Sequence, residues 1–168
     1  MPESGPAADI NTDSPGRLFL LLYRDFQRRC APMLAAKGYG ELSEAHLNVL
    51  SHIDAGGTRS VALAGRLNLT KQSVGDLVAE LVALGYVTRT PDPTDKRAAI
   101  IRYSKRGLGF LKDAFEIKTK IEAEYSKILG KDEMERFFSN ARMLVDNRST
   151  PPRGWRGRRR QVGITRTA

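Results

Sequence analysis

The sequence predicts a mainly α-helical fold that carries one small β-hairpin. Two short amphipathic segments with a helical period lie close together between residues 60 and 84. Two segments of strand composition, at about 86–90 and 97–103, follow them around a charged loop that contains prolines. Longer helical patterns flank this block at about 14–37, 104–129 and 131–146. A helix pair followed at once by a basic hairpin is typical of a winged helix-turn-helix.

The chain is predicted to form one domain between two terminal extensions. Its 168 residues, 40% hydrophobic and 28% charged, suit one globular domain with its own core, at about 14–147. Residues 1–13 and 148–168 show no apolar period, so we expect a disordered arm and a disordered basic tail. Within the domain, the winged helix-turn-helix is expected at about 43–103 and the flanking long helices at about 14–37 and 104–146.

Positive charge is concentrated in two regions. The formal net charge is +9, and the tail at 148–168 carries seven arginines and no acidic residue, which leaves +2 for the rest of the chain. Residues 59–106 hold nine lysines and arginines against four acidic residues. One of the two cationic regions therefore lies inside the predicted fold.

Several classes of protein do not fit the sequence. Cys30 is the one cysteine, which excludes an internal disulfide, and His46 and His52 are six residues apart on a predicted helix, so no metal site is expected. No Ser-His-Asp set, phosphate loop or carboxylate pair is visible, so we expect neither an enzyme nor a cofactor. The longest apolar run, 18–23, is far shorter than the roughly 20 residues of a bilayer span, and no secretory signal begins the chain. We expect a cytoplasmic protein without a membrane partner.

The first long helix is predicted to begin at a Ser14 cap, with Pro15 in its first turn, and to end at Gly38. Its apolar residues between Leu18 and Leu34 cover more than one stripe of the helix. Such a helix needs apolar partners on several sides. It is either a central core helix or a helix that also packs against a second subunit.

Two short helices are predicted to precede the helix at 71–84. The first begins at Ser43 and ends at the Gly56-Gly57 pair, and the second begins at Ser60. Residues 68–69 make a tight connection to the next N-cap, Thr70. The residues of the second short helix expected to face inward are Val61, Leu63, Ala64 and Leu67.

The helix predicted over 71–84 has one apolar face and one polar face. The apolar face, at spacing i, i+3, i+4 and i+7, consists of Val74, Leu77, Val78 and Leu81, and the polar face of Lys71, Gln72, Ser73, Gly75, Asp76 and Glu80. Small polar groups at the positive end of a helix dipole suit entry into a DNA major groove. Gly75 costs about 1 kcal/mol inside a helix, so it either permits close backbone approach or fits against a neighbouring helix.

The loop TPDPTDKRAA, residues 90–99, is longer and stiffer than a hairpin requires. Pro91 and Pro93 hold it extended, Asp95 can brace an arginine, and Lys96 or Arg97 can reach a narrow minor groove, where the potential is most negative. A charged tip taken alone is explained by solvation. Beside the helix pair, it indicates a wing that contacts DNA.

The last two helices are predicted from their caps. Ser104 begins a helix that runs to about Leu129, and Asp132 and Glu135 have the spacing of a capping box for the final helix. The final helix is expected to turn Met134, Phe137, Phe138, Ala141, Leu144 and Val145 inward.

Residues 61–107, VALAGRLNLTKQSVGDLVAELVALGYVTRTPDPTDKRAAIIRYSKRG, resemble the MarR (multiple antibiotic resistance regulator) family. The wing DPTDKR is similar to that of the family, and SKRG stands where members usually have a Thr-Pro/Glu-Lys-Gly pattern. The long helices fit the family's helical dimerisation region, so the resemblance extends over about 14–147.

The resemblance implies a homodimer that binds double-stranded DNA at a pseudo-palindromic operator. Arg97 would enter the minor groove, with Asp95 orienting it. A small aromatic or lipophilic effector would bind between the dimerisation region and the DNA-binding lobe and release a repressor. The implied DNA-binding residues are Ser60, Thr70, Lys71, Gln72, Ser73, Asp76, Arg89, Asp95, Lys96 and Arg97.

The chain departs from the family at Asp76, where many members carry a cation, and in its tail. Asp76 either accepts a hydrogen bond from a cytosine amino group or points away from DNA. Positive charge would then come from the wing, Arg59, Arg66 and the tail, and the tail either adds nonspecific phosphate attraction or is an irrelevant extension.

Two further alternatives concern Cys30 and the function itself. Some relatives sense oxidants through a cysteine near the start of the first helix, whereas Cys30 lies late on it, which favours a small buried apolar side chain. The alternative function is a nonspecific architectural or protein-interaction module, which would bind random and cognate DNA equally.

Overall fold

The structure, a computed structural model, describes residues 14–95 and 98–147. The predicted arm and tail, together with Lys96 and Arg97 of the wing, lie outside the described residues. The helices and strands, in chain order, are α1 (Pro15–Ala36), α2 (Glu44–Leu50), β1 (Thr58–Arg59), α3 (Ser60–Leu67), α4 (Lys71–Ala83), β2 (Val87–Pro91), β3 (Ala99–Tyr103), α5 (Lys105–Leu129) and α6 (Lys131–Asp146). The predicted class, mainly helical with a small β-structure, is confirmed.

The chain divides into two compact units. The first extends to Glu124 and holds α1 to α4, the sheet and most of α5, whereas the second begins at Tyr125 and holds the end of α5 and α6. The first unit contains a core of fully buried side chains drawn from α2, α3, α4, the hairpin and α5. Each such side chain contributes about 1.5–3 kcal/mol through burial. The largest are Tyr86, Leu50, Leu63, Leu81, Ile101, Ile117 and Ile121.

The sheet has three antiparallel strands in the order β1-β3-β2, of which the sequence indicated two. Thr58 pairs with Ile101 across β1 and β3, and Val87 pairs with Tyr103 across β2 and β3. β1 has two residues, too few to show an alternating pattern. Gly57 (φ +94°) permits the pairing, because a Cβ there would lie 2.6 Å from Arg102 Cγ.

The α2 helix ends earlier than predicted, at Leu50 instead of at the Gly56-Gly57 pair. After Leu50 the backbone N–H groups of His52 and Ile53 donate to carbonyl oxygens three residues back, and the Leu50 carbonyl oxygen also accepts from the hydroxyl of Tyr103. Thr58 then closes the following turn, accepting from the Asp54 backbone N–H at 2.8 Å. The helix therefore passes into a turn at Leu50, where a distant strand also makes contact.

Ser14 caps α1 as predicted, accepting from the Arg17 backbone N–H at 3.3 Å. The interpretation of α1 as a central core helix is wrong for its first half, because the side chains from Leu18 to Tyr23 are 45–55% exposed. In the described chain, Leu34 is the buried residue of α1.

Several smaller predictions are also wrong. Residues that were expected to face inward are exposed on α3 and α6, namely Val61 (54%), Phe137 (39%), Leu144 (67%) and Val145 (50%). The final helix has no capping box, because it begins at Lys131 after Gly130, which places Asp132 inside the first turn. Gly130 lies at φ +86°, in the left-handed region that favours glycine.

Candidate nucleic-acid interface

The α3 and α4 helices form the predicted helix-turn-helix. Asn68 adopts the left-handed conformation (φ +53°) at the end of α3, and Thr70 caps α4 by accepting from the Ser73 backbone N–H at 3.0 Å. The Thr70 and Ser73 hydroxyl oxygens lie 2.7 Å apart, so both side chains help to fix the first turn of α4. The buried residues that attach α4 to the core are Val74, Val78 and Leu81.

The side of α4 opposite these buried residues is exposed and polar at its N-terminal half. At 100° per residue, Gln72 and Asp76 lie one turn apart on this outward face, followed by Ala79 and Ala83. Lys71 is exposed at its flank. Among the described residues, none makes a hydrogen bond or ion pair with the Lys71, Gln72 or Asp76 side chains. These groups are therefore available to a partner.

Gly75 adjoins this face, and its environment decides between the two alternatives for it. A Cβ at Gly75 would meet no described atom within 4 Å. Packing against a neighbouring helix is therefore wrong as the explanation, and close backbone approach to an external partner remains the proposal.

Glu80, whose side chain is 60% exposed, is hydrogen-bonded to a residue of α2. Its Oε2 lies 2.8 Å from Nε2 of His46 on α2, and His46 is 5% exposed. The Ser43 backbone N–H donates to His46 Nδ1 at 3.2 Å, so the neutral ring carries its proton on Nε2 and donates to Glu80. The sequence placed Glu80 on the polar face without this partner, because a pairing 34 residues apart leaves no local pattern.

The wing is anchored by Asp92, a residue that the sequence analysis did not select. Its side chain is 3% exposed, and it accepts from Arg59 Nε at 2.6 Å and from the backbone N–H of Thr94 at 2.8 Å. The Thr94 hydroxyl donates to it at 2.7 Å, and Arg59 also donates to Thr94 Oγ1 at 2.9 Å. Mainly through the hydrogen bonds from Thr94, the pKa of Asp92 is lowered to about 2. The Asp-Pro-Thr sequence was the available signal, since Asp commonly accepts from the backbone two residues on.

The described part of the wing tip is closed by backbone hydrogen bonds. Ala98 donates to the Asp95 carbonyl oxygen at 2.8 Å, and Asp92 donates to the Ala98 carbonyl oxygen at 3.0 Å. Arg89 is exposed on β2. Orientation of Arg97 by Asp95 stays a prediction, because Lys96 and Arg97 lie outside the described residues.

Two arginines expected to supply positive charge are offset by acids. Arg59 pairs with Asp92, and Arg66 donates to both carboxylate oxygens of Asp54, at 2.8 and 3.0 Å. Both guanidinium groups remain partly exposed, but their net contribution to the surface potential is smaller than the sequence suggests. Ser60 is half-buried at the start of α3, a helix without a side-chain cap.

A second candidate site is a cleft of about 530 Å³ between α1, α2 and α5. Its walls are mostly apolar, with one polar cluster in which Glu44 Oε1 accepts from Tyr23 at 3.0 Å and from Gln27 at 2.7 Å. Cys30 lines it half-buried, and burial raises the pKa of the thiol, which agrees with an apolar role. The other lining residues include Phe26, Leu34, Leu47, Asn48, Ser51, Phe110, Phe115 and Lys118.

The described residues contain neither a metal-ligating cluster nor a membrane-spanning helix. In the part of the chain that the structure describes, no group of three or more His, Cys, Asp or Glu side chains is placed to hold a metal ion. None of the helices in residues 14–95 and 98–147 is long and apolar enough to cross a membrane.

Known proteins resemble this chain in sequence and in fold. A sequence profile of the MarR family matches residues 41–98. The transcriptional activatory protein BadR of Rhodopseudomonas palustris is 30% identical over 135 residues, which cover 74% of this chain and 72% of that protein.

Solved structures with this fold include three regulators. A transcriptional regulator of Thermotoga maritima has 25% identity and a TM-score of 0.56, covering 78% of this chain and 91% of its own. Wild-type MarR of E. coli in its apo form has 21% identity and a TM-score of 0.65, and the match covers 80% of this chain and 99% of that one. PcaV of Streptomyces coelicolor, in complex with its natural ligand, has 22% identity and a TM-score of 0.56, and the match covers 79% of this chain and 92% of that one.

The matched residues coincide with the site described above. The profile spans α2, the helix-turn-helix and the wing, and the 30% identical regulator extends the match to most of the chain. Transcription regulators of this fold are not enzymes. The protein belongs to the MarR family of transcriptional regulators.

Proposed function

We propose that this protein is a ligand-responsive repressor that binds a pseudo-palindromic operator as a homodimer. The observation that carries the proposal is the outward face of α4, whose polar side chains have no partner among the described residues. Beside it, the wing is held to the start of α3 by Asp92. A regulator must reach DNA, so the expected cytoplasmic location belongs to the same proposal.

The proposed contacts divide between bases and phosphates. The N-terminal turn of α4, shaped by Thr70 and Ser73, enters the major groove and presents Gln72 and Asp76 to base edges. Lys71, Arg89 and Lys96 lie near phosphates, Ser60 brings the uncapped N–H groups of α3 to the backbone, and Arg97 enters the minor groove. Asp95 orients Arg97.

Exposed apolar surface supports the homodimer. In the first unit, the six residues from Leu18 to Tyr23 are about half exposed. In the second unit, Ile128 is 77%, Leu144 67% and Met143 61% exposed. Exposed apolar patches on helices mark surfaces that another molecule covers, and a second copy of the chain is the proposed partner of each unit's patch.

The cleft supports ligand control, because α2 lies between the cleft and α4. One side of α2, with Glu44, Leu47 and Ser51, lines the cleft, and the other side reaches α4 through the His46–Glu80 hydrogen bond. A small aromatic or lipophilic ligand that moves α2 would therefore move α4 as well. PcaV, a structural relative, has been solved with a natural ligand.

Selection of bound sites from random DNA tests the operator proposal. The full chain is expected to enrich an inverted repeat whose half-site centres lie about one helical turn apart. Arg97→Ala is expected to weaken binding to that site by about 1–3 kcal/mol, because a specific groove contact is lost. Titration of labelled operator measures the effect, with Lys120→Ala, an exposed cation of α5, as the charge-matched control.

Two outcomes would contradict this proposal. Equal affinity for random and selected DNA would favour the alternative, a nonspecific architectural or protein-interaction module. Equal losses of operator affinity in Arg97→Ala and Lys120→Ala would show that Arg97 makes no specific contact, and the wing contact would be removed from the proposal.

The repressor role needs a separate test, since the 30% identical relative is named as an activatory protein. The operator is placed upstream of a reporter, with and without the protein. Reporter output that falls when the protein is present supports a repressor, and output that rises replaces that part of the proposal with an activator.

The single cysteine provides a direct readout of the cleft. A compound from a panel of small aromatic molecules that releases operator DNA is expected to slow the reaction of Cys30 with a thiol reagent, because Cys30 lines the cleft. At 100 times its Kd, the compound should also stabilise the folded protein by about 2.7 kcal/mol. A compound that releases DNA but leaves the thiol reaction rate unchanged would place the effector site elsewhere.

A further inference from the structure

We propose that Asp76 determines base specificity by selecting cytosine at one position of each operator half-site and rejecting guanine and thymine there. The inference rests on the proposed function, since it requires that α4 enters a major groove. Beyond that function, it specifies the base that α4 recognises and the bases that it excludes.

Asp76 lies where its side chain can contact a partner on the outward face of α4. It lies in the middle of the 13-residue helix, on the side opposite Val74, Val78 and Leu81, and one turn after Gln72. Along the same face, the next residues are Ala79 and Ala83, which are short. Gln72 and Asp76 are therefore the side chains of this face that extend furthest toward a partner.

The charge of Asp76 is uncompensated within the described chain. Glu80, the other acid of α4, is hydrogen-bonded to His46, whereas no described residue donates to the Asp76 carboxylate. An ionised carboxylate that loses water on binding must find a donor, or binding is penalised. The DNA backbone offers phosphate oxygens, which repel it.

The major groove offers two kinds of donor, the amino groups of cytosine and adenine. Adenine also presents its N7 acceptor beside the amino group, which disfavours a carboxylate that has no proton to donate. Guanine presents O6 and N7 and thymine presents O4, all of them acceptors. A bare carboxylate against base edges therefore favours cytosine and works against the bases that offer acceptors only.

Gly75 makes the required approach feasible. A Cβ at this position would meet no described atom within 4 Å, so the surface beside Asp76 is open instead of filled by another part of the fold. A short aspartate side chain needs the helix backbone to come close to the base edges, and the missing side chain at Gly75 permits this.

Selection of bound sites by the full chain tests the inference with two variants. The unmodified protein is expected to enrich an inverted repeat with cytosine at one position of each half-site. Asp76→Ala should lose about tenfold or more of the discrimination between cytosine and guanine at that position alone, and its affinity for random DNA should rise. Asp76→Asn should shift the preference to adenine, because an amide donates to N7 and accepts from the amino group.

Glu135→Ala, which removes an exposed acid from α6, is the matched control and should leave every base preference unchanged. If the unmodified protein enriches an inverted repeat and all variants share its base preferences, the role of Asp76 is overturned while the proposed function stands. If the unmodified protein enriches no repeat, the proposed function is overturned, and this inference with it.

Discussion

Gly107→Ala is expected to destabilise the protein by about 3 kcal/mol or more, because the added methyl group has no space. A Cβ at Gly107 would lie 2.0 Å from the carbonyl oxygen of Tyr86 and 3.1 Å from Cδ1 of Tyr103. The Tyr86 carbonyl oxygen also accepts from the Ser104 backbone N–H at 3.0 Å, which fixes its position. Relief of the clash therefore requires β2 and α5 to separate.

The region around Tyr86 shows why that separation is costly. Tyr86 is fully buried, and its hydroxyl donates to Glu41 Oε1 at 2.6 Å. Its ring packs near Phe110 and Tyr39, and the Arg106 guanidinium lies 4.3 Å from the ring centroid. These contacts join the base of the wing to α5, so the clash should affect both stability and DNA binding.

Gly109→Ala is the matched control, since it lies two residues later on the same helix and its Cβ would meet no described atom within 4 Å. It is expected to stabilise the protein by up to about 1 kcal/mol through helix propensity. Urea unfolding gives both free energies. Similar values for the two variants would show that the backbones at Gly107 and Tyr86 are not in close contact.

Asp92→Ala is expected to lower operator affinity at least as much as Arg97→Ala. Its effect on the free energy of global unfolding should be smaller than that of Gly107→Ala. Without the carboxylate, Arg59 Nε and the Thr94 N–H and hydroxyl lose their acceptor, and the loop that carries the proposed wing contacts is no longer held to β1 and α3. Titration of labelled operator measures the loss, and Glu135→Ala serves as the charge-matched control. An affinity equal to that of the control would show that Asp92 does not position the wing.

The same residue predicts a dependence on acid. Its pKa in the folded protein is about 2, against an ordinary value of 3.8. A lowered folded-state pKa means that the stabilisation is fully present above about pH 4 and is lost as the pH falls through about 2. The difference in unfolding free energy between the unmodified protein and Asp92→Ala should therefore shrink between these pH values. A difference that stays constant would contradict the lowered pKa of Asp92 in the folded protein.

Local patterns in the sequence determined the helix-turn-helix and the hairpin. Ser14, Ser43 and Thr70 act as helix caps, as predicted, because a cap depends on a few neighbouring residues. The apolar spacing of α4 predicted which residues are buried, and therefore where Gln72 and Asp76 lie. This part of the candidate site follows from periodicity alone.

Long-range contacts decided the rest. Four features join residues more than 30 positions apart, and such pairs leave no periodic signal. They are the pairing of β1 with β3, the Tyr103–Leu50 hydrogen bond at the end of α2, the Asp92–Arg59 ion pair and the Glu80–His46 hydrogen bond. The sequence predicted Glu80, Arg59 and Arg66 only as surface charges. The fold supplies each of them with a partner of opposite charge or with a hydrogen bond. The sequence by itself determined which helix faces outward, because burial follows local spacing. The tertiary structure alone decided which charges on that surface are free to bind a partner, because charge pairing depends on how distant segments meet.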